Sequence, residues 1–143
     1  DYAEDLFRDI KPEDLAALIR TCAREKAWYV SRDALDRGLR QQLNFGHTVG
    51  HALEAAYGYR RYTHGEAVSI GMVAALRLSV LLAGLDPVAA QETEGLLGRL
   101  GLPTRLTREP GAKFWQALLQ DKKRGRTALR VVLSPAIGAA KLH

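Results

Sequence analysis

The chain has 143 residues, 47% of them hydrophobic and 26% charged, with a net charge of +5. That is the length and composition of one soluble globular domain with a buried core. The arginines are scattered, and the aromatic residues, only 7% of the chain, are not interleaved with them as stacking platforms. This argues against a nucleic-acid partner and in favour of a pocket for an anionic small molecule.

The chain opens Asp-Tyr-Ala-Glu-Asp, with neither Met nor a basic n-region, so no signal peptide is expected and residue 1 is not expected to be a natural start. The first helix is predicted from Pro12 to about Val30, with Pro12 in its first turn and Glu13 and Asp14 at its positive end. Its apolar stripe runs Leu15, Leu18, Ile19, Cys22, and the next position on it is Lys26. Lys26 either snorkels to the edge or points its ammonium into a cleft. Cys22, the single cysteine, excludes an internal disulfide, suits a reducing cytosol, and on that stripe is expected to be a buried structural thiol.

Asp33 to Arg40 reads as a short polar connection. A second helix is predicted from about Leu43 to Tyr57, ending at Gly58 as a left-handed cap. Gly46 and Gly50 fall inside it, each costing about 1 kcal/mol against alanine. Something is therefore expected to approach that backbone closely, either a neighbouring helix or a ligand. Thr63-x-x-Glu66 is a capping box that starts a third helix at about His64 and runs to about Ala83. The apolar run from Ala67 to Leu85 has the length of a membrane span, but it contains Ser69, Gly71, Arg77 and Ser79 and follows a capped start. A buried core helix is expected, and no membrane.

Asp86-Pro87 begins a fourth helix, closed by Gly101 and Pro103, and Lys113 to Lys122 forms a shorter amphipathic one. Only then do β-branched residues appear, in a strand predicted over Leu129–Leu133 with a partner from Ile137 after a Ser134-Pro135 turn. The fold class is mainly α, a helical bundle with a small C-terminal β-hairpin, in a single domain spanning 1–143.

The chemistry is concentrated between Asn44 and Glu66, which hold three of the four histidines. His47 and His51 stand four apart and so share a helix face, and His64 lies in a capped first turn that can fold back towards it. Clustered imidazoles hold zinc-like divalent ions, and three protein ligands with an open position make a catalytic site that polarises a hydroxyl or carbonyl. Spacing leaves open whether all three ligate or one is an acid/base beside the ion. Glu54 and Glu66 are candidate partners, Glu66 better explained by its cap and Glu54 by support behind a ligand or by the surface. Asp121-Lys122-Lys123, with Arg124 and Arg126 behind it, is either a solvated basic turn or an anion clamp. Lys26, Arg40 and Asn44 would join that clamp if the first helix packs on the histidine helix.

These residues, in this order, resemble the C-terminal domain of the 3-dehydroquinate synthase family. The resemblance is carried by Arg-Glu-Lys26-Ala, by Gly-Leu-Arg40-x-x-Leu-Asn44-Phe-Gly-His47-Thr-x-Gly-His51-Ala-Leu-Glu, by His64-Gly-Glu66-Ala-Val-x-x-Gly-Met, by Gly101-Leu-Pro and by Asp121-Lys122-Lys123. It implies a carbon–oxygen lyase of the shikimate pathway, in aromatic amino acid and chorismate biosynthesis. This enzyme converts 3-deoxy-D-arabino-heptulosonate 7-phosphate to 3-dehydroquinate and phosphate with NAD and a divalent metal, Zn2+ or Co2+. It further implies that His47 and His64 are metal ligands and that His51 is a substrate-binding, proton-transferring neighbour. Lys26, Arg40, Asn44 and one of Lys122 and Lys123 then contact the substrate. A cytoplasmic homodimer is implied for the full-length enzyme.

The same resemblance implies an N-terminal NAD-binding domain and a glutamate preceding this chain that completes the metal site. No glycine-rich nucleotide loop follows a strand in the chain. The expectation is a fragment of the synthase, carrying two of three ligands and inactive alone. The alternatives are another sugar-phosphate cyclase of the same superfamily and a non-catalytic helical scaffold.

Overall fold

A computed structural model of the chain describes residues 10–119 and 129–143. Helix α1, Pro12–Arg32, begins with Pro12 at its first position and Glu13 and Asp14 in its first turn, as expected. Its apolar stripe is another matter. No residue of α1 is buried, and Leu18, Ile19 and Cys22 are exposed, so the buried-thiol reading of Cys22 is corrected. The helix packs mainly through its C-terminal end on a single 3-10 helix, Leu39–Asn44, where the Tyr29 hydroxyl donates to Gln42 Oε1 at 3.3 Å.

The predicted polar connection is an organised junction. Asp33 accepts backbone N–H bonds from Arg37 at 3.0 Å, Gly38 at 2.8 Å and Arg40 at 3.1 Å. The Arg37 amide first, then those of Arg40 and Gly38 and the Arg40 charge, hold its carboxyl below the ordinary aspartate range against the opposing cost of desolvation. The junction thus has a carboxylate at its centre that fixes how the 3-10 helix leaves α1.

Helix α2, His47–Ala56, starts four residues later than predicted. The reason is Gly46, whose φ of 81° is left-handed and ends the preceding 3-10 turn before α2 begins. Helix α3, His64–Leu82, follows the predicted capping box: Thr63 Oγ1 accepts from the Glu66 amide, and Glu66 Oε2 accepts from the Thr63 amide at 2.7 Å. The two helices meet backbone to backbone. A Cβ on Gly50 would lie 3.2 Å from Val68 Cα, and one on Gly71 would strike the Gly46 carbonyl. A neighbouring helix therefore accounts for both glycines of the histidine segment.

Leu53 is fully buried between them, with Ala52, Ala67, Ile70 and Phe114 of helix α5, Ala112–Leu119. Burying a leucine of this kind contributes about 1.5–3 kcal/mol. Helix α4, Pro87–Arg99, is capped by Asp86, whose side chain accepts from the Val88 amide, and packs on the distal half of α3 around Leu76, Leu85 and Ala90. Among the described helices, α3 alone has the length and hydropathy of a membrane span, yet it packs against α2, α4 and the hairpin as a core helix.

The hairpin pairs β1, Val132–Ala136, with β2, Ala139–Leu142, antiparallel. Both the strand limits and the turn differ from expectation. The reversal is at Ile137-Gly138, where Gly138 has φ 82°, and Ser134-Pro135 lies inside β1 at an irregularity in the register. Ser134 is held there from two sides: its amide donates to the buried Ser79 Oγ of α3 at 2.9 Å, and its hydroxyl reaches the carbonyls of Ala136 and Ala139. A proline beside it removes a ladder donor without ending the strand, as bulges tolerate. The fold is mainly helical with a terminal hairpin, as the sequence predicts.

Candidate metal and substrate site

Helices α2 and α3 begin with the two histidines His47 and His64. The glycine seam that draws the helices together also brings these first residues together. Ring centroids of His47 and His64 are 5.3 Å apart, those of His47 and His51 5.3 Å, and those of His51 and His64 5.9 Å. Three imidazoles from two helices thus form one cluster. On α2, His47, His51 and Glu54 follow the i, i+4, i+7 pattern and share a face.

The hydrogen bonds around the rings differ. His47 Nδ1 is 3.3 Å from the Phe45 carbonyl oxygen, and His64 Nδ1 is 3.1 Å from Glu54 Oε1. A carbonyl or carboxylate oxygen accepts, so Nδ1 is the donor in each of these bonds, and in the neutral ring Nε2 is then the nitrogen left with a lone pair. Among the described residues, no such bond engages the ring of His51. Burial lowers the pKa of His47, helped by the neighbouring His51 and His64 and opposed by the Phe45 bond and Glu54. A ring held neutral is a ring able to ligate. One donor atom each from His51, Glu54 and His64 lie within 4.8 Å of one another, a grouping that could hold a cation and that does not include His47.

A cleft of about 780 Å³ opens beside the cluster, lined among others by Asn44, His47, His51, Asp36, Tyr59 and Arg130. The structure therefore brings Asn44 together with the histidines. Arg40 is not part of that lining; its Nη1 donates to the Ala34 carbonyl at 3.2 Å. Lys26 is exposed on α1 and is not among the lining residues; α1 packs on the 3-10 helix and not broadly on α2. Lys122 and Lys123 lie outside the described residues.

The family model for the 3-dehydroquinate synthase C-terminal domain matches residues 2–124. The chain belongs to this family. It is 44% identical over 135 residues to the 3-dehydroquinate synthase of Bordetella pertussis, covering 94% of the chain and 37% of that relative. It is 39% identical over 144 residues to that of a Sulfurovum strain, covering 99% of the chain and 41% of the relative. The chain thus spans about two fifths of the length of these curated relatives. In fold it is similar to a crystal structure of 2-deoxy-scyllo-inosose synthase complexed with carbaglucose-6-phosphate, NAD+ and Co2+. That likeness has a TM-score of 0.80 at 24% identity, covering 94% of the chain and 38% of that structure.

Several cleft residues escape the sequence reading. Asp36 and Tyr59 adopt φ 53° and 58°, uncommon for residues with a side chain, and both line the cleft. Tyr59 could have been suspected, since it directly follows the Gly58 cap and its amide bonds back to the Glu54 carbonyl at 2.9 Å. Arg130 has no local signal. It arrives from the hairpin, where its carbonyl accepts from Thr48 Oγ1 across 82 positions of sequence.

Proposed function

We propose that the chain is the metal- and substrate-binding half of a 3-dehydroquinate synthase, acting on 3-deoxy-D-arabino-heptulosonate 7-phosphate and releasing 3-dehydroquinate and phosphate. One observation carries the division of labour. His47 and His64 each have Nδ1 tied to an oxygen acceptor, the arrangement of metal-ligating histidines, and His51 does not. His47 and His64 are therefore the ligands of a divalent ion, Zn2+ or Co2+. His51, 5.3 Å from the His47 ring, is the proton-transfer residue. The ion, when bound, supplies Lewis-acid polarisation of a substrate hydroxyl.

The chain's own groups bind and orient the substrate. Asn44, at the cleft wall, offers amide hydrogen bonds to hydroxyls. Arg40, Lys26 and one of Lys122 and Lys123 supply cations for the carboxylate and phosphate. His51 moves a proton at the substrate while its ring stays in reach of the cleft.

NAD binding and a glutamate that completes the metal site belong, on this reading, to a preceding nucleotide-binding domain of a cytoplasmic enzyme that is a homodimer when full length. The 39–44% identity to 3-dehydroquinate synthases supports this substrate over that of another sugar-phosphate cyclase. The test is metal content and product formation with the nucleotide-binding portion supplied. His47→Ala and His64→Ala should each lose stoichiometric metal, whereas His51→Ala should keep it and lose turnover by about 100-fold or more. Metal lost from His51→Ala but retained by His47→Ala would reverse the assignment, and a product other than 3-dehydroquinate would refute the substrate.

A further inference from the structure

The ligand face holds one residue whose role the sequence leaves open between support behind a ligand and the surface. Glu54 sits on α2 three positions beyond His51, with its side chain only 9% exposed, while the side chain of His64 that it meets is 58% exposed. A carboxylate withdrawn from water is costly unless it is compensated. Among the described residues, the only side-chain hydrogen bond made by Glu54 is the 3.1 Å contact from its Oε1 to His64 Nδ1. No lysine or arginine pairs with it within the described residues.

His64 has the converse problem. It stands in the first turn of α3, where more than half of its side chain faces solvent, so packing alone cannot hold the ring in one rotamer. His47 differs, being half-buried and tethered to the Phe45 carbonyl of its own approach segment. The orientation of His64 comes from across the helix seam.

We propose that Glu54 is a positioning residue for the metal centre: its carboxylate holds His64 as the Nδ1–H tautomer and turns Nε2 towards the ion. The proposal rests on the reading of His64 as a ligand given above. The bond crosses from α2 to α3, so it locks the ring only when the glycine seam is closed, and it links the packing of the two helices to the competence of the site. Carboxylates behind ligating histidines fix the ring's tautomer and orientation in this way. In turn, the cation gives the buried carboxylate the positive neighbour that the protein side chains do not provide. Direct ligation by Glu54, in the His51–Glu54–His64 grouping, is the competing role for the same atoms.

The experiment uses the full chain and its Glu54→Gln and Glu54→Leu variants. Nitrogen-15 shifts of the His64 ring are read without metal, and Co2+ is titrated with its visible spectrum as readout. The wild-type chain should show His64 protonated at Nδ1. Glu54→Gln, whose amide oxygen still accepts, should keep that tautomer and bind Co2+ about tenfold more weakly. Glu54→Leu should lose the tautomer preference and bind about 100-fold more weakly, a range typical for such partners. In both variants the spectrum of the bound ion should keep its band positions.

Protonation of His64 at Nε2 in the wild-type chain, or wild-type Co2+ affinity in Glu54→Leu, would overturn the proposal. A spectrum in Glu54→Gln that reports a lost oxygen ligand would overturn it in favour of direct ligation. If Glu54→Leu does not fold, the Gln variant and the wild-type shifts still decide. Co2+ binding that His64→Ala leaves untouched would sink the ligand assignment instead, and the ring shifts would still judge the Glu54 bond by itself.

Discussion

The α2–α3 pair and helix α1 start from similar sequence patterns and end differently. Each of α1 and α2 carries an apolar face at helical spacing. On α2 that face is closed against α3 by backbone contact at Gly46, Gly50 and Gly71, and Leu53 is sealed beneath it. On α1 the stripe Leu15, Leu18, Ile19 and Cys22 remains open to solvent, and the helix is anchored through Tyr29 and the Asp33 junction. An apolar stripe therefore states that a face can be buried, whereas small residues at matched positions on two helices state what it is buried against. The histidine cluster sits on the second kind of surface, which is why its geometry is well defined.

The contrast can be broken most directly at Gly71. Gly71→Ala drives a methyl group onto the Gly46 carbonyl, so destabilisation at or beyond the upper end of the usual 1–3 kcal/mol for overpacking is expected in denaturant unfolding. Unchanged stability would mean the seam is looser than described. Removing the cap that starts α3 is the next step down. Thr63→Ala should cost about 1 kcal/mol and, because His64 is the first residue of that helix, should also weaken metal binding. A stability loss with unaltered metal affinity would separate the cap from the site.

Acid sharpens the comparison at the α1 end. The carboxyl of Asp33 is held below its ordinary range in the folded chain, so its contribution is present above the unfolded aspartate pKa and disappears as pH falls through the folded one. Amide exchange at Arg37, Gly38 and Arg40 should accelerate selectively in that acidic window, and in Asp33→Asn it should be fast at every pH. Protection that persists in Asp33→Asn would assign the order of the junction to something else. The smallest effect belongs to the open stripe: Ile19→Ser should change the stability of this chain by no more than about 0.5 kcal/mol, as exposed positions do. A loss of several times that would show that the face is covered after all.

Much of the site was legible because its signals are local. The i, i+4 spacing of His47 and His51, the Thr63–Glu66 box that places His64 at a helix start, and the Asp86-Pro87 start of α4 each act within one turn of chain. The misread pieces depend on partners far away in sequence. Gly46 reads as a helix-interior residue, whereas its left-handed φ accompanies the close approach of α3, which no local signal announces. Ser134-Pro135 reads as a turn in the sequence because nothing nearby announces that Ser79, 55 positions earlier, holds Ser134 within the strand.

Unaided, the residue order determined a mainly helical domain with a terminal hairpin, the starts of α1, α3 and α4, and a concentration of three imidazoles in one stretch, since propensity, capping and periodicity are short-range. Tertiary structure alone decided which oxygen the Nδ1 of His47 and of His64 faces, that Arg130 and Tyr59 join the cleft, and that Cys22 is exposed. Those outcomes depend on how closely two helix backbones approach, and that distance is set by the absence of side chains at Gly50 and Gly71, on elements the sequence lists separately.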